Sequence, residues 1–272
     1  MAEQISATRI NHTNIVVEDF DASVQCFKDL YDAEFVLDLP SPAFHACLMS
    51  FGDVLFEIFV PEAYLLNARY GPFHLGIEYQ ADMEQVRRVI ADQGIRVIRD
   101  IGHALHTHPD DTLGVSFEFY DQAFAGREWP LLGRPTLPLD YWTNEHPLGM
   151  SGQVGYSIAV DDLDAGVAFL RRFFATETVY EEPRPVLAGT AVGLRVGGGV
   201  IEVLAPTGEG ALRDYVRRSG QGIRSTLIGV GDLDAARAYF RERGVDAVPG
   251  STDKRIMVPA DANRGLLFEF GM

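Results

Sequence analysis

The sequence has only two cysteines, Cys26 and Cys47, among 272 residues. That is too few for a disulfide framework, so a hydrophobic core has to carry the fold. No apolar run approaches the ~18–20 residues that a spanning helix needs, which argues against a membrane protein. The opening stretch, MAEQISATRINHTN, lacks the basic start and apolar run of a secretory signal, so a cytoplasmic location is expected. Positive charge is also scarce: 23 Lys plus Arg face 39 Asp plus Glu, a net charge of −16. Nucleic acid and anionic lipid both demand clustered positive charge, so neither is an expected partner. Small-molecule chemistry is untouched by that balance, and a small-molecule substrate is the expected partner. Hydrophobic residues make up 47% of the chain and charged residues 23%, an ordinary globular composition. At roughly 150 residues per domain, this length suggests two domains.

What is present is repetition. The segment HTNIVVEDFDASVQCFKDLYDAEFV from His12 matches GYSIAVDDLDAGVAFLRRFFATETV from Gly155 without a gap. Looser copies start at His74 (HLGIEYQADMEQVRRVIADQGIRVI) and at Ser225 (STLIGVGDLDAARAYFRERGVDAV). Each copy opens with a β-rich run, turns at acidic residues and continues with helical periodicity. Asp19, Asp82, Asp162 and Asp232 stand where a short acceptor side chain caps a helix. Runs of strand length follow, at Glu34–Leu39, Phe44–Ser50 and Val54–Val60 in the first copy. The reading is an α+β protein of four β-α-β-β-β modules, paired into two domains with curved mixed sheets. The domains span 1–123 and 153–272. Between them, residues 124–152 are rich in Pro and Gly without a period and are expected to form a linker.

The pattern places chemistry on the strands. His12 lies on the first strand of module one and Glu57 on its last, within VLFEIFV. His74 opens module two within GPFHLGIEY, and Glu118 lies on its last strand within GVSFEFY. An approximate twofold between the modules would bring all four to one concave surface. Two imidazoles and two carboxylates make a sensible shell for Fe, Ni, Co, Mn or Zn. One strand Glu is commonly a cross-strand residue and one strand His a scaffold, but four at repeated positions point to a metal. Alternation places Asn14, Gly76, Glu78 and Ser116 on the same strand faces as these residues, as pocket-lining candidates. GHALHTHP reads as a loop. The second half keeps carboxylates at Glu202 and Glu269 but has Gly155 and Ser225 where the histidines stood, so it is expected to lack a metal centre of the same kind. It could serve instead as a binding lobe, a scaffold or the surface of a homodimer.

Taken together, the four modules resemble the vicinal oxygen chelate superfamily, which includes glyoxalases, bleomycin-resistance proteins and extradiol dioxygenases. The likeness spans nearly the whole chain apart from the linker. It implies metal ligation by His12, Glu57, His74 and Glu118 from first and last module strands. The second half, IEVLAPTGEGALRDYVRRSGQGIRSTLIGV, is similar to methylmalonyl-CoA epimerase, although Arg224 and Ser225 replace that family's paired histidines. HPDDTLGVSFE resembles the same family's approach to its last ligand, which makes His108 a substrate-binding candidate with Asn14, Gly76 and Ser116.

The resemblance implies a metal-dependent isomerase, epimerase or glyoxalase-type lyase. Such an enzyme stabilises an enediolate while Glu57 or Glu118 moves a proton. The alternatives are an Fe(II) ring-cleaving dioxygenase held by His12, His74 and Glu118, and a non-catalytic small-molecule binder. The intact four-residue set disfavours the last.

Overall fold

The computed structural model describes residues 3–42, 44–61, 71–124 and 126–271. Module one comprises β1 (Arg9–Val16), α1 (Phe20–Tyr31), β2 (Glu34–Pro40), β3 (Phe44–Phe51) and β4 (Val54–Pro61). Module two comprises β5 (Phe73–Gln80), α2 (Met83–Gln93), β6 (Val97–Asp100), β7 (Ala104–Thr107) and β8 (Ser116–Tyr120). A short helix, α3 (Leu139–Asn144), precedes module three: β9 (Met150–Ala159), α4 (Leu163–Phe173), β10 (Glu177–Arg184), β11 (Gly189–Val196) and β12 (Gly199–Pro206). After α5 (Ala211–Ser219), module four runs β13 (Gly222–Val230), α6 (Leu233–Glu242), β14 (Val248–Pro249), β15 (Arg255–Val258) and β16 (Phe268–Gly271).

The four-module α+β reading is therefore the observed architecture. Modules one and two supply one eight-stranded sheet in the order β2-β3-β4-β1-β5-β8-β7-β6, and modules three and four supply the second as β10-β11-β12-β9-β13-β16-β15-β14. Each sheet is mixed: within a module the first and last strands pair parallel and the other pairs are antiparallel. No helix among the described residues is long and apolar enough to cross a membrane.

Local chemistry explains the module starts. The side chains of Asp19, Asp82, Asp162 and Asp232 accept backbone N–H groups in the first turns of α1, α2, α4 and α6. Each satisfies donors that a helix start otherwise leaves open. At the β11–β12 hairpin, Gly197 and Gly198 take φ of 56° and 80°, a left-handed pair that glycine adopts without strain.

Packing groups the chain into two compact units. Unit one holds residues 1–11, 75–124 and 155–224; unit two holds residues 12–74, 125–154 and 225–272. Within unit one, Ile77, Tyr79, Phe117 and Phe119 pack with Tyr156, Ile158, Phe173 and Phe174, while Val86, Val89 and Ile90 give the buried stripe of α2. Tyr79 and Tyr156 join their buried hydroxyls at 2.7 Å. Within unit two an aromatic cluster forms the centre: Phe51 stacks on Tyr31 at 4.6 Å and on Phe56 at 4.5 Å, and Phe56 stacks on Phe268 at 5.4 Å. Tyr31 remains hydrogen-bonded there through its hydroxyl, which donates to Asn263 Oδ1 at 2.8 Å. The first strands thus have one face committed to a core, which leaves the opposite face for polar side chains.

Two sequence expectations need correction. The stretch expected to be a plain linker contains α3, buries Trp129 and Trp142 completely or nearly so, and passes into β9 at Met150. Trp142, Leu148 and Met150 belong to the unit-two core, and His146 anchors the segment to Asp32 at 3.0 Å. The apolar side chains override a Pro- and Gly-rich composition. In GHALHTHP, four residues form β7 rather than loop, because Leu105 packs into the unit-one core and the ladder to β8 covers the backbone.

Candidate functional site

The polar residues on the first and last module strands fall into two groups, one in each unit. In unit two, β1 and β4 run parallel with His12 opposite Leu55 and Asn14 opposite Glu57. Partners in register share a face, so His12, Asn14 and Glu57 lie on the face opposite Ile15 and Ile58. The His12 Nε2 approaches Glu57 Oε2 at 3.1 Å; the two side chains are 4% and 14% exposed. Two residues that the sequence nominated as ligands are therefore neighbours, and Asn14 is buried on the same face.

His74, at the start of β5, is also buried in unit two. Its Nε2 meets Thr226 Oγ1 at 3.1 Å, and its ring lies 5.9 Å from that of Phe268. Burial alone pushes its imidazole down to about 3, so the ring is neutral in the folded chain. In the unfolded chain a histidine gains its proton near pH ~6.5. The fold therefore has its full stability from this group above that pH and loses it as pH falls toward 3. The whole window is worth on the order of 5 kcal/mol at most. Between pH 7 and 5 a His74→Gln variant is expected to lose about 2 kcal/mol less stability than the parent, as measured by urea unfolding.

Unit one supplies the acidic group. β5 and β8 are parallel neighbours in which Gly76 faces Ser116 and Glu78 faces Glu118. Gly76 is required by the closeness of the strands: a Cβ there would lie 1.9 Å from the Ser116 carbonyl oxygen. Glu78 and Glu118 are 2% and 7% exposed, so two carboxyls stand opposite one another in a buried strand pair. Each has a dedicated donor. Asn11 Nδ2 donates to Glu78 Oε1 at 2.9 Å, and His106 Nε2 lies 2.8 Å from Glu118 Oε1. Carboxylates so placed repel unless a cation or shared proton offsets them.

Sequence reasoning placed Glu78 only in the pocket lining and missed His106. Alternation was the available signal for both: Glu78 shares its strand face with His74 and Gly76, and His106 points away from the core-facing Leu105 and Thr107. His108, nominated as a substrate contact, caps the short 3₁₀ turn at Pro109–Asp111 by accepting the Asp110 N–H through Nδ1 at 3.2 Å. Ser116 is fully buried, and its hydroxyl donates to the Thr107 carbonyl at 3.2 Å.

The second half holds its carboxylates differently. On β12, Glu202 faces Ser157 of β9, the register that Glu57 has with Asn14. Arg184 donates to Glu202 Oε1 through Nε at 3.2 Å and through Nη2 at 2.5 Å, and Tyr180 adds its hydroxyl at 3.0 Å. On β16, Glu269 accepts from Ser225 at 3.2 Å and from the Ser251 backbone N–H at 2.9 Å, with the Arg255 guanidinium 3.8 Å away. Its partner in register on β13 is Leu227, where β5 has Glu78. Strand register thus matches Ser225, which the sequence repeat paired with His74, to Gly76.

No protein-family model matches the sequence, and no curated protein matches it. Solved structures do. A triply substituted 4-hydroxymandelate synthase from Streptomyces coelicolor superposes with a TM-score of 0.74 at 12% identity, covering 97% of this chain and 92% of that one. The chain has the vicinal oxygen chelate fold. A xylose isomerase-like TIM barrel/4-hydroxyphenylpyruvate dioxygenase fusion protein superposes at 0.67 with 13% identity over 98% of this chain, which spans about half of that protein, 49%. A methylmalonyl-CoA epimerase aligns with 43% of this chain at a TM-score of 0.41, too slight a likeness to take the epimerase comparison further. In that fold, unit two carries a His–Glu group on β1 and β4, and unit one carries two facing carboxyls on β5 and β8.

Proposed function

We propose that this protein is a metal-dependent vicinal-oxygen-chelate enzyme that moves a proton next to a carbonyl or carboxylate of a small oxygenated substrate, as an isomerase, epimerase or lyase does. Its divalent ion is held by Glu78 and Glu118, the two carboxylates that face one another on β5 and β8. The observation that carries this reading is the buried Glu78–Glu118 pair in register on β5 and β8. A cation is the simplest compensation for two buried carboxylates, and Mn and Zn are among the divalent ions that accept carboxylate oxygens.

When bound, such an ion supplies Lewis-acid polarisation of a substrate oxygen. The chain's own residues supply the rest. Glu57, the most exposed of the carboxylates described above on the first sheet, is the group that takes and returns the substrate proton, and its contact with His12 sets the direction of its oxygens. Asn14 lies beside Glu57 in register and orients the substrate. A positioned base of this kind contributes about 10²–10⁴-fold in rate.

Proton transfer is favoured over oxygen chemistry by the donor set. Non-haem Fe(II) oxygenases use two histidines and one carboxylate, whereas the facing donors on β5 and β8 are two carboxylates, and His74 is engaged by Thr226. Incubating the protein and Mn²⁺ with a panel of small 2-oxo and 2-hydroxy acids in D₂O is expected to give deuterium at the carbon beside the carbonyl, read by NMR, with no O₂ uptake. O₂ consumption with Fe(II) and no deuterium incorporation would overturn the proton-transfer reading.

A further inference from the structure

We infer that His106 is a positioning residue for the metal-binding carboxylate of Glu118; this rests on the metal reading above. His106 and Glu118 are partners in register across the antiparallel β7–β8 pair, and the imidazole Nε2 lies 2.8 Å from Glu118 Oε1. Both side chains are largely covered, at 15% and 9% exposure. A charge-assisted hydrogen bond in that setting holds one carboxylate oxygen in a fixed direction.

The strand that carries His106 is itself held in place. Thr107 Oγ1 accepts the Phe117 backbone N–H at 2.9 Å, and Ser116 Oγ donates to the Thr107 carbonyl at 3.2 Å. The Thr112 hydroxyl donates to the Val115 carbonyl at 2.6 Å and braces the connection between the strands. A free surface histidine would need none of this bracing. Module four provides the contrast. The residue facing Glu269 in the same register is Met257, and Glu269 is held instead by Ser225, Ser251 and the nearby Arg255. The imidazole stands in the module whose carboxylate is assigned to the metal; where serines and an arginine hold the carboxylate, a thioether takes its place.

Partners that orient a metal ligand typically change affinity by about 10–100-fold when removed. The test is Mn²⁺ binding to the full chain by titration calorimetry, with His106→Ala, His106→Gln and Glu118→Gln side by side, together with the visible absorption of the Co²⁺-loaded proteins. His106→Ala is expected to weaken Mn²⁺ binding by about 10-fold or more and to shift the Co²⁺ band. His106→Gln keeps an N–H donor and is expected to restore most of the affinity and the parental band. Parental affinity and band in His106→Ala, with binding lost in Glu118→Gln, would overturn the role of His106 and leave the metal reading standing. Equal losses in His106→Ala and His106→Gln would overturn positioning through the hydrogen bond. Parental binding in Glu118→Gln would overturn the metal reading itself, and this inference with it.

Discussion

Glu118→Gln is expected to weaken divalent-metal binding by at least about 100-fold, the largest functional effect of any single change in the chain. The glutamine keeps the shape and can still meet His106, so β7 and β8 need not rearrange. What changes is charge. In the parent, Glu118 and Glu78 face one another on adjacent parallel strands, and in the proposed function a cation offsets both. With one amide the repulsion disappears and the demand for a cation goes with it. The variant should therefore bind metal poorly and fold at least as well as the metal-free parent. Calorimetry with Mn²⁺ gives the first quantity and urea unfolding in chelator gives the second. Weak binding accompanied by a large loss of stability would mean that Glu118 is mainly structural.

Arg184→Met is expected to destabilise the protein by about 3–5 kcal/mol, the largest stability effect of a polar substitution. Glu202 is completely buried and Arg184 is 2% exposed. Removing the guanidinium takes the paired positive charge from the buried Glu202 carboxylate, while the Tyr180 hydroxyl still donates to it. The cost comes from the stranded charge, so a second change should recover most of it: Arg184→Met with Glu202→Leu takes both charges out of the core. Urea unfolding of the two variants checks this, and equal destabilisation in both would contradict it. A guanidinium within the fold already neutralises the carboxylate that corresponds in register to Glu57.

The parts of the fold that follow local rules were readable from the residues. Asp19, Asp82, Asp162 and Asp232 cap the four module helices as their positions implied, and the strands of module one fall within a residue of the expected ranges. Pairing of quarters was not readable. Hydrophobic periodicity says which face of a strand is apolar, but it does not say that Tyr79 of module two will pack in one unit with Tyr156 of module three.

The site divides the same way. His12 and Glu57 stand out in the sequence because both occur on strands at repeated positions, and the fold brings them to 3.1 Å. Alternation puts Glu78 on the face of His74 and Gly76, but its pairing with Glu118 depends on the β5–β8 register, which periodicity does not reveal. His106 was hidden by a stretch whose Gly, Thr and Pro imitate a loop. Only the ladder from Leu105 to Phe119 and from His106 to Glu118 makes it a strand.

The most direct test of the account is a count of bound metal. The purified protein is stripped with chelator, reloaded with Mn²⁺, and measured by elemental analysis beside Glu78→Gln and an Arg184→Met/Glu202→Leu variant. About one ion per chain is expected in the parent and in the Arg184 double variant, and almost none in Glu78→Gln. Two ions per chain in the parent, or an unchanged ion in Glu78→Gln, would contradict a single centre built on the facing carboxylates.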